Sequence, residues 1–236
     1  MIPHFQLRSI YSIGVNGNQY ECKSLQSCYH YFVIKFVLAK GEECFFMKLR
    51  LGIDIDGTVT APEAFVPYLN RSFNLNISLK DIKDYDLTKL LKISDEQFRM
   101  WMNEHEPTVY KNAPIAKYAK KVLDDWKDKH HLIYITARRK HLEELTFKWF
   151  KENKVAHHHI ELVGSHNKLN AVKKHEINVF FEDNHDNAVM IAEELQIPVL
   201  LFNAPYNQNP VPKNVVRVNN WLEAKKWLDL HYIPNF

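Results

Sequence analysis

Glycine is scarce in this chain of 236 residues: there are six, and half of them, Gly14, Gly17 and Gly41, fall before Met47. The chain also lacks internal repeats and low-complexity tracts. Cysteine is scarcer still. Cys22, Cys28 and Cys44 all precede Met47, and none follows it. An odd count without zinc-type spacing argues against both a disulfide framework and a zinc module. Long apolar runs are missing too: the best, Tyr31 to Ala39, carries Lys35 and is about half the roughly 18 residues needed to span a bilayer. It is also poorly placed and flanked for a signal peptide. Neither sign of charge dominates, with 31 basic against 28 acidic side chains and a net charge of +3. Nucleic-acid binding would need clustered Lys and Arg. The expectation is a soluble cytoplasmic protein without nucleic-acid or membrane partners. Its oligomeric state, homo-oligomer included, is left open.

Aspartate is absent from the first 46 residues and common afterwards. From "MKLRLGIDIDG" onward the texture changes to clean strand and helix patterns. Residues 1–46 therefore read as an N-terminal extension outside the working enzyme. In a bacterial gene, Lys40 to Glu43 would back-translate to a purine-rich stretch where a ribosome-binding site precedes a start codon, with Met47 as that start. The rival is an ordinary extension that packs a strand such as Tyr31 to Leu38 on the domain.

Beyond Met47, "KLRLGIDI" has the apolar, β-branched character of a buried strand stopped by Gly57. The next comparable run is "HLIYIT", residues 131–136. Asp54 and Thr136 lie 82 positions apart, whereas a βαβ crossover needs roughly 30 residues. The surplus is helical: Phe65, Tyr68, Leu69 and Phe73 recur at helical spacing. "SDEQFRMWMNEH" opens with a capping box from Ser94 to Gln97, with Phe98, Trp101 and Met102 on one face. This predicts a helical insert over about residues 61–112. Strands over 159–163, 177–183 and 198–202 then alternate with helices over 139–153, 168–175 and 187–195. "NVVRV" offers an edge strand and "NWLEAKKWLDL" a closing helix. Such alternation predicts an α/β fold with a doubly wound parallel sheet covered on both faces.

The strand ends carry the chemistry. Two aspartates two positions apart, Asp54 and Asp56, end an apolar strand, and burying one unpaired carboxylate costs several kcal/mol. A cation between them, or a shared proton, would remove the conflict. In open α/β sheets ligands bind at the carboxyl ends of strands. Here those ends bring Asp54 and Asp56, then Thr136 and Arg138, then Lys168, and finally Glu182 and Asp183. Carboxylates, a hydroxyl and a cation converging on one crevice suit a phosphoryl group held with Mg²⁺.

In this order and spacing, "DIDGT", "ITAR", Lys168 and "FFEDNHD" resemble the four motifs of the haloacid dehalogenase-like phosphatase superfamily. The resemblance covers about residues 47–218 and is closest to nucleotidases related to the cytosolic 5′(3′)-deoxyribonucleotidases. It implies a Rossmann-like hydrolase domain over 47–236, with the insert as a small helical cap. It also implies a Mg²⁺-dependent phosphomonoesterase acting on a small phosphate ester, foremost a (deoxy)nucleoside monophosphate. Asp54 would be the nucleophile, forming an aspartyl-phosphate, and Asp56 the general acid and base. Thr58 and Thr136 would donate to phosphoryl oxygens, and Lys168 would neutralise charge on the phosphoryl group and Asp54. Asp183, Asp54 and the Asp56 backbone carbonyl would hold the metal, with Glu182 supporting its water shell. A phosphatase of another small metabolite shares this core. A non-catalytic phospho-ligand binding protein would be expected to have lost one of these positions, and none is replaced.

Other features are weaker. Arg138 fits a substrate-phosphate contact as well as a loop cap. Asp186 reads as hydrogen-bonding within its own loop. Phe65, Tyr85 and Trp101 could stack on a base, although packing within the insert explains such residues equally well. His157, His158 and His159 resemble a metal tract, yet neighbours on a strand face opposite ways, which argues against a metal there.

Overall fold

Strands that are apolar along their whole length must be covered on both faces. The computed structural model of the chain, which describes residues 11–15, 18–22 and 48–232, provides that cover. Two compact units divide the chain, the larger being Lys48–Asp229. In the smaller, the described residues pair β1 (Tyr11–Val15) with β2 (Asn18–Cys22) as an antiparallel hairpin. The strand expected over Tyr31 to Leu38, and Cys28 and Cys44, lie outside the described residues.

In the larger unit, six strands form one parallel sheet: β3 (Arg50–Ile53), β4 (His131–Thr136), β5 (His159–Leu162), β6 (Val179–Glu182), β7 (Val199–Phe202) and β8 (Val215–Val218). Their order is β5-β4-β3-β6-β7-β8. The chain winds outward from β3 through β4 to β5, then crosses back to β6 on the other side of β3. The direction of winding therefore reverses at β3, where a ligand crevice is expected. The "NVVRV" run forms the edge strand β8, as its pattern predicts.

Successive residues on one strand serve opposite faces. Phe180 joins Ile133, Ile135, Val172 and Ile191 in the core beneath α6 (Leu169–Lys174) and α7 (His185–Leu195). Phe181 points the other way. It stacks on Trp221 of α8 (Trp221–Tyr232) at 5.6 Å and tilts against Trp126 of α4 (Ala119–Trp126) at 5.5 Å. Gly52 lies against Phe180, and a Cβ there would come within 2.4 Å of the ring. The centre of the sheet packs this closely because that position has no side chain.

Between β3 and β4 run α1 (Val66–Phe73), a 3₁₀ turn at Leu79–Asp81, α2 (Thr88–Leu91) and α3 (Asp95–Asn112). These build their own apolar centre from Leu69, Leu91 and Trp101, with Phe65, Phe73 and Phe98 packed around it. The Ser94–Gln97 capping box forms: the Gln97 amide donates to Ser94 Oγ at 3.2 Å, and the Ser94 amide to Gln97 Oε1 at 2.9 Å. Two helices start elsewhere than their apolar patterns suggest. The helix expected over 139–153 begins as α5 (Glu143–Glu152), after an extended Arg139 and a 3₁₀ turn at Lys140–Leu142. α7 starts two residues before its apolar run, because Asn184 caps it by accepting from the Asn187 amide at 2.9 Å. Among the described residues, no helix is long and apolar enough to cross a membrane.

Candidate active site

β3 ends at Ile53, and its two aspartates follow directly. The Asp54 amide donates to the Phe181 carbonyl at 2.9 Å, continuing the ladder one residue past the strand. Ile55 between the aspartates is fully buried, so Asp54 and Asp56 face the crevice together. Gly57 then turns the chain with φ +80°. A Cβ there would stand 2.1 Å from Asp183 Oδ2. Glycine is needed both for the left-handed backbone and for the close approach of the carboxylate.

Lys168, the N-cap residue of α6, reaches the centre of the site fully enclosed. Its Nζ donates to Asp54 Oδ1 at 2.5 Å and to Glu182 Oε1 and Oε2 at 3.1 and 3.3 Å. Burial disfavours an ammonium, yet Asp54 and Glu182 hold Lys168 charged well above its ordinary range. Glu182 Oε1 also accepts from Asn187 Nδ2 at 2.7 Å, so both of its oxygens are engaged by the protein. Asp183 Oδ2 accepts from the Tyr206 hydroxyl at 2.6 Å, and the Asp183 carbonyl from Asn207 Nδ2 at 2.7 Å.

Asp54, Glu182 and Asp183 bring carboxylate oxygens within 4.8 Å of one another, all three buried. Among the described residues, Lys168 is the one cation bonded to this group, so negative charge is in excess. Burial, reinforced by the neighbouring carboxylates against Lys168, raises Asp54 well above the usual range. Burial and Glu182 push Asp183 up to about 7. Hard carboxylate oxygens with surplus charge suit a divalent cation such as Mg²⁺, and the residues present fit one.

Asp56 is held differently. Arg138 grips it with a two-point fork, Nε to Oδ2 at 2.8 Å and Nη2 to Oδ1 at 2.7 Å. Nη1 of the same guanidinium donates to Thr146 Oγ1 at 3.2 Å, and its carbon lies 4.1 Å above the centre of the Tyr110 ring. The Arg138 side chain is wholly buried, while Asp56 is about a quarter exposed. Arg138 thus pairs with Asp56, and it also borders the cavity.

Above these groups lies a cavity of about 510 Å³. Asp54, Asp56, Thr136, Lys168 and Asp183 form part of its floor, and Phe65 and Tyr85 of the helical insert part of its wall. Trp101 is not on that wall. It is buried in the centre of the insert and stacks on His105 at 4.8 Å, because the apolar face of α3 turns inward. Thr58 is also off the cavity. Its side chain is fully buried with an unpaired hydroxyl, and its carbonyl accepts from Trp221 Nε1 at 3.0 Å. Thr60, two residues on, lines the cavity instead and takes the Gly57 amide on its hydroxyl at 3.2 Å. Asp186 is almost fully exposed and pairs with His185 at 2.9 Å.

Besides Thr60, sequence reasoning overlooked four residues here. Tyr206 and Asn207 follow β7, and the polar run "NAPYNQN" at that strand end is the signal that points to them. Asn187 sits in the first turn of α7. Glu106, buried in α3, pairs with Arg139 and lies 3.4 Å from His141, tying the insert to the loop after β4. No local pattern marks Glu106, because its partners are more than thirty residues away.

No family model matches the chain. Among curated proteins it is 61% identical over 181 residues to the "Putative nucleotidase YqfW" of Bacillus subtilis, covering 77% of this chain and 94% of the relative. A protein of the same description from Halalkalibacterium halodurans is 57% identical over 180 residues, covering 76% of this chain and 92% of the relative. Among solved structures, the HAD-hydrolase YfnB from Bacillus subtilis, described as bound to magnesium, superposes with a TM-score of 0.53. It is 13% identical, with 77% of this chain and 99% of that one covered. The chain therefore belongs to the family of its curated relatives, a group of phosphoric monoester hydrolases on the haloacid dehalogenase-like fold.

Proposed function

We propose that this hydrolase is a Mg²⁺-dependent phosphatase of (deoxy)nucleoside monophosphates that works through an aspartyl-phosphate on Asp54. One observation carries the reading: Asp54, bonded to a buried lysine, and Asp56, held by a buried arginine fork, both line one cavity. Two carboxylates in such different surroundings can take different roles.

Lys168 occupies Oδ1 of Asp54, which leaves Oδ2 to attack phosphorus. The new bond is Oδ2–P, and the bond that breaks joins phosphorus to the ester oxygen of the leaving group. Asp56 gives its proton to that oxygen. It then takes a proton from the water that attacks the aspartyl-phosphate, restoring Asp54 and releasing inorganic phosphate. Arg138 is a positioning residue in this scheme, because its fork fixes the direction in which the Asp56 carboxyl points. Thr136 and Lys168 bind the transferred phosphoryl group. Glu182, itself bonded by Asn187, holds Lys168 in place. Asp54, Asp183 and the Asp56 backbone carbonyl would hold Mg²⁺, which when bound neutralises phosphoryl charge.

A nucleotide is the substrate class that best suits the cavity. Its volume falls in the range of roughly 300–1,000 Å³ common for small-ligand sites, and the insert adds apolar and aromatic wall at Phe65, Tyr85 and Met102. Base–aromatic stacking contributes about 1–3 kcal/mol. The names of the curated relatives support the same class. The test is phosphate release across a panel of nucleoside monophosphates and sugar phosphates, with wild type and Phe65→Ala. Nucleotides should lead in kcat/KM, and Phe65→Ala should narrow that lead. Preference for a small sugar phosphate, unaffected by Phe65→Ala, would remove the nucleotide from the proposal.

A further inference from the structure

A second group of metal-type ligands stands away from this crevice. His159 opens the edge strand β5, Glu161 is two residues on, and His175 caps the carboxyl end of α6. The i, i+2 spacing puts His159 and Glu161 on one face of the strand, and α6 brings His175 to them. One ligand atom from each lies within 4.8 Å of the others. His175 Nε2 is 2.5 Å from Glu161 Oε2, His159 Nε2 is 3.9 Å from the same oxygen, and the two rings are centred 4.7 Å apart. The aspartates and Lys168 work at the carboxyl ends of the strands, whereas this cluster starts at the amino end of β5.

We infer that His159, Glu161 and His175 form a second metal site, for a borderline-soft divalent cation such as Zn²⁺ or Co²⁺, that staples the edge strand to α6. Two imidazoles and one carboxylate are a zinc-type donor set with a fourth position left for water. The ligands sit on a strand and at a helix end, so little has to move. The site is half open, with His159 49% and His175 16% exposed. Lys174 Nζ also bonds Glu161 Oε2, at 2.9 Å. In the metal-free cluster, hydrogen bonds from His175 and this ammonium occupy the carboxylate, and the cation would displace them. Lys174 is 63% exposed on a flexible stem and free to swing away. The other histidines of the run are engaged elsewhere: His158 Nδ1 accepts the Leu132 amide at 3.0 Å, and His157 Nδ1 lies 3.0 Å from the Val155 carbonyl.

The rival is a charged cluster that merely protects a sheet edge from pairing. Titration of the full-length, thiol-alkylated protein with Zn²⁺ (calorimetry) and Co²⁺ (visible absorption) separates the two, with excess Mg²⁺ occupying the carboxylate cluster. The site predicts one tight equivalent per chain, Co²⁺ bands of mixed nitrogen and oxygen ligation, and a metal-dependent rise in Tm. His159→Ala and His175→Ala should each weaken binding about tenfold or more, with the metal-free Tm reporting that each variant folds. Lys174→Ala should tighten binding severalfold by removing the competing ammonium, an effect that edge protection does not produce. His157→Ala and His158→Ala should leave it unchanged. The proposal is overturned if no equivalent binds beside Mg²⁺. Binding that survives loss of His175 but not of His157 or His158 would assign it to the histidine run and overturn it as well.

Discussion

Replacing Arg138 with Met tests whether this residue serves Asp56 or the substrate. The change keeps much of the side-chain volume and removes the fork at 2.7 and 2.8 Å together with the bond to Thr146. Breaking a buried ion pair from one side typically costs about 3–5 kcal/mol. Asp56 is 26% exposed and regains some hydration, so about 2–4 kcal/mol is the reasonable range here. At roughly 2–4 °C per kcal/mol for a unit of this size, Tm should fall by about 4–16 °C. Asp56 then remains in the site without a fixed direction. Since positioned acid–base catalysis contributes about 10²–10⁴-fold, kcat for a nucleotide should fall by about 10²-fold. An aryl phosphate, whose leaving group needs little protonation, should lose far less. Arg138→Lys should recover part of the stability but little of kcat, because an ammonium cannot reproduce the fork. The assay is kcat and KM for both substrates beside a melting curve. Equal losses on both substrates would refute a role through Asp56. A raised KM with kcat unchanged would return Arg138 to the substrate phosphate.

Asp54→Asn removes the attacking oxygen and should abolish turnover with the fold retained; more than a few per cent residual activity, measured as phosphate release, would end the covalent mechanism. Stripping divalent metal with EDTA should stop turnover and Mg²⁺ restore it, while Ca²⁺, which accepts more oxygens in looser geometry, should restore little; full activity after stripping would remove Asp183 and Asp54 from the role of ligands. Gly57→Ala places a methyl 2.1 Å from Asp183 Oδ2 at φ +80°, so it should cost about 1–3 kcal/mol and most of the activity, read from Tm and kcat together; a fully active variant would show that the turn tolerates displacement of Asp183. Deleting residues 1–46 should leave kcat and Tm unchanged, since every residue assigned to the site follows Met47 and Lys48–Asp229 is a compact unit; a clear fall in either would make the extension part of the fold.

The sequence alone determined the parallel sheet, because unbroken apolar runs alternating with amphipathic stretches have few other solutions. It also placed Asp54, Asp56, Thr136, Lys168, Glu182 and Asp183 at strand ends or just beyond them, where a chain of this pattern gathers its ligands. Contacts between distant residues were decided only in three dimensions. Arg138 and Asp56 are 82 positions apart, and nothing local distinguishes a guanidinium that grips a carboxylate from one that awaits a phosphate. Phe65 and Trp101 have the same aromatic character and helical spacing, yet packing sends one to the cavity and the other to the centre of the insert. Thr58 and Thr60 are chemically alike, and the turn at Gly57 decides which of them lines the cavity. Of the histidine run only His159 lies in β5, with His157 and His158 preceding the strand. His159 meets Glu161 and His175 because α6 returns along the edge of the sheet, and the fold alone supplies that encounter.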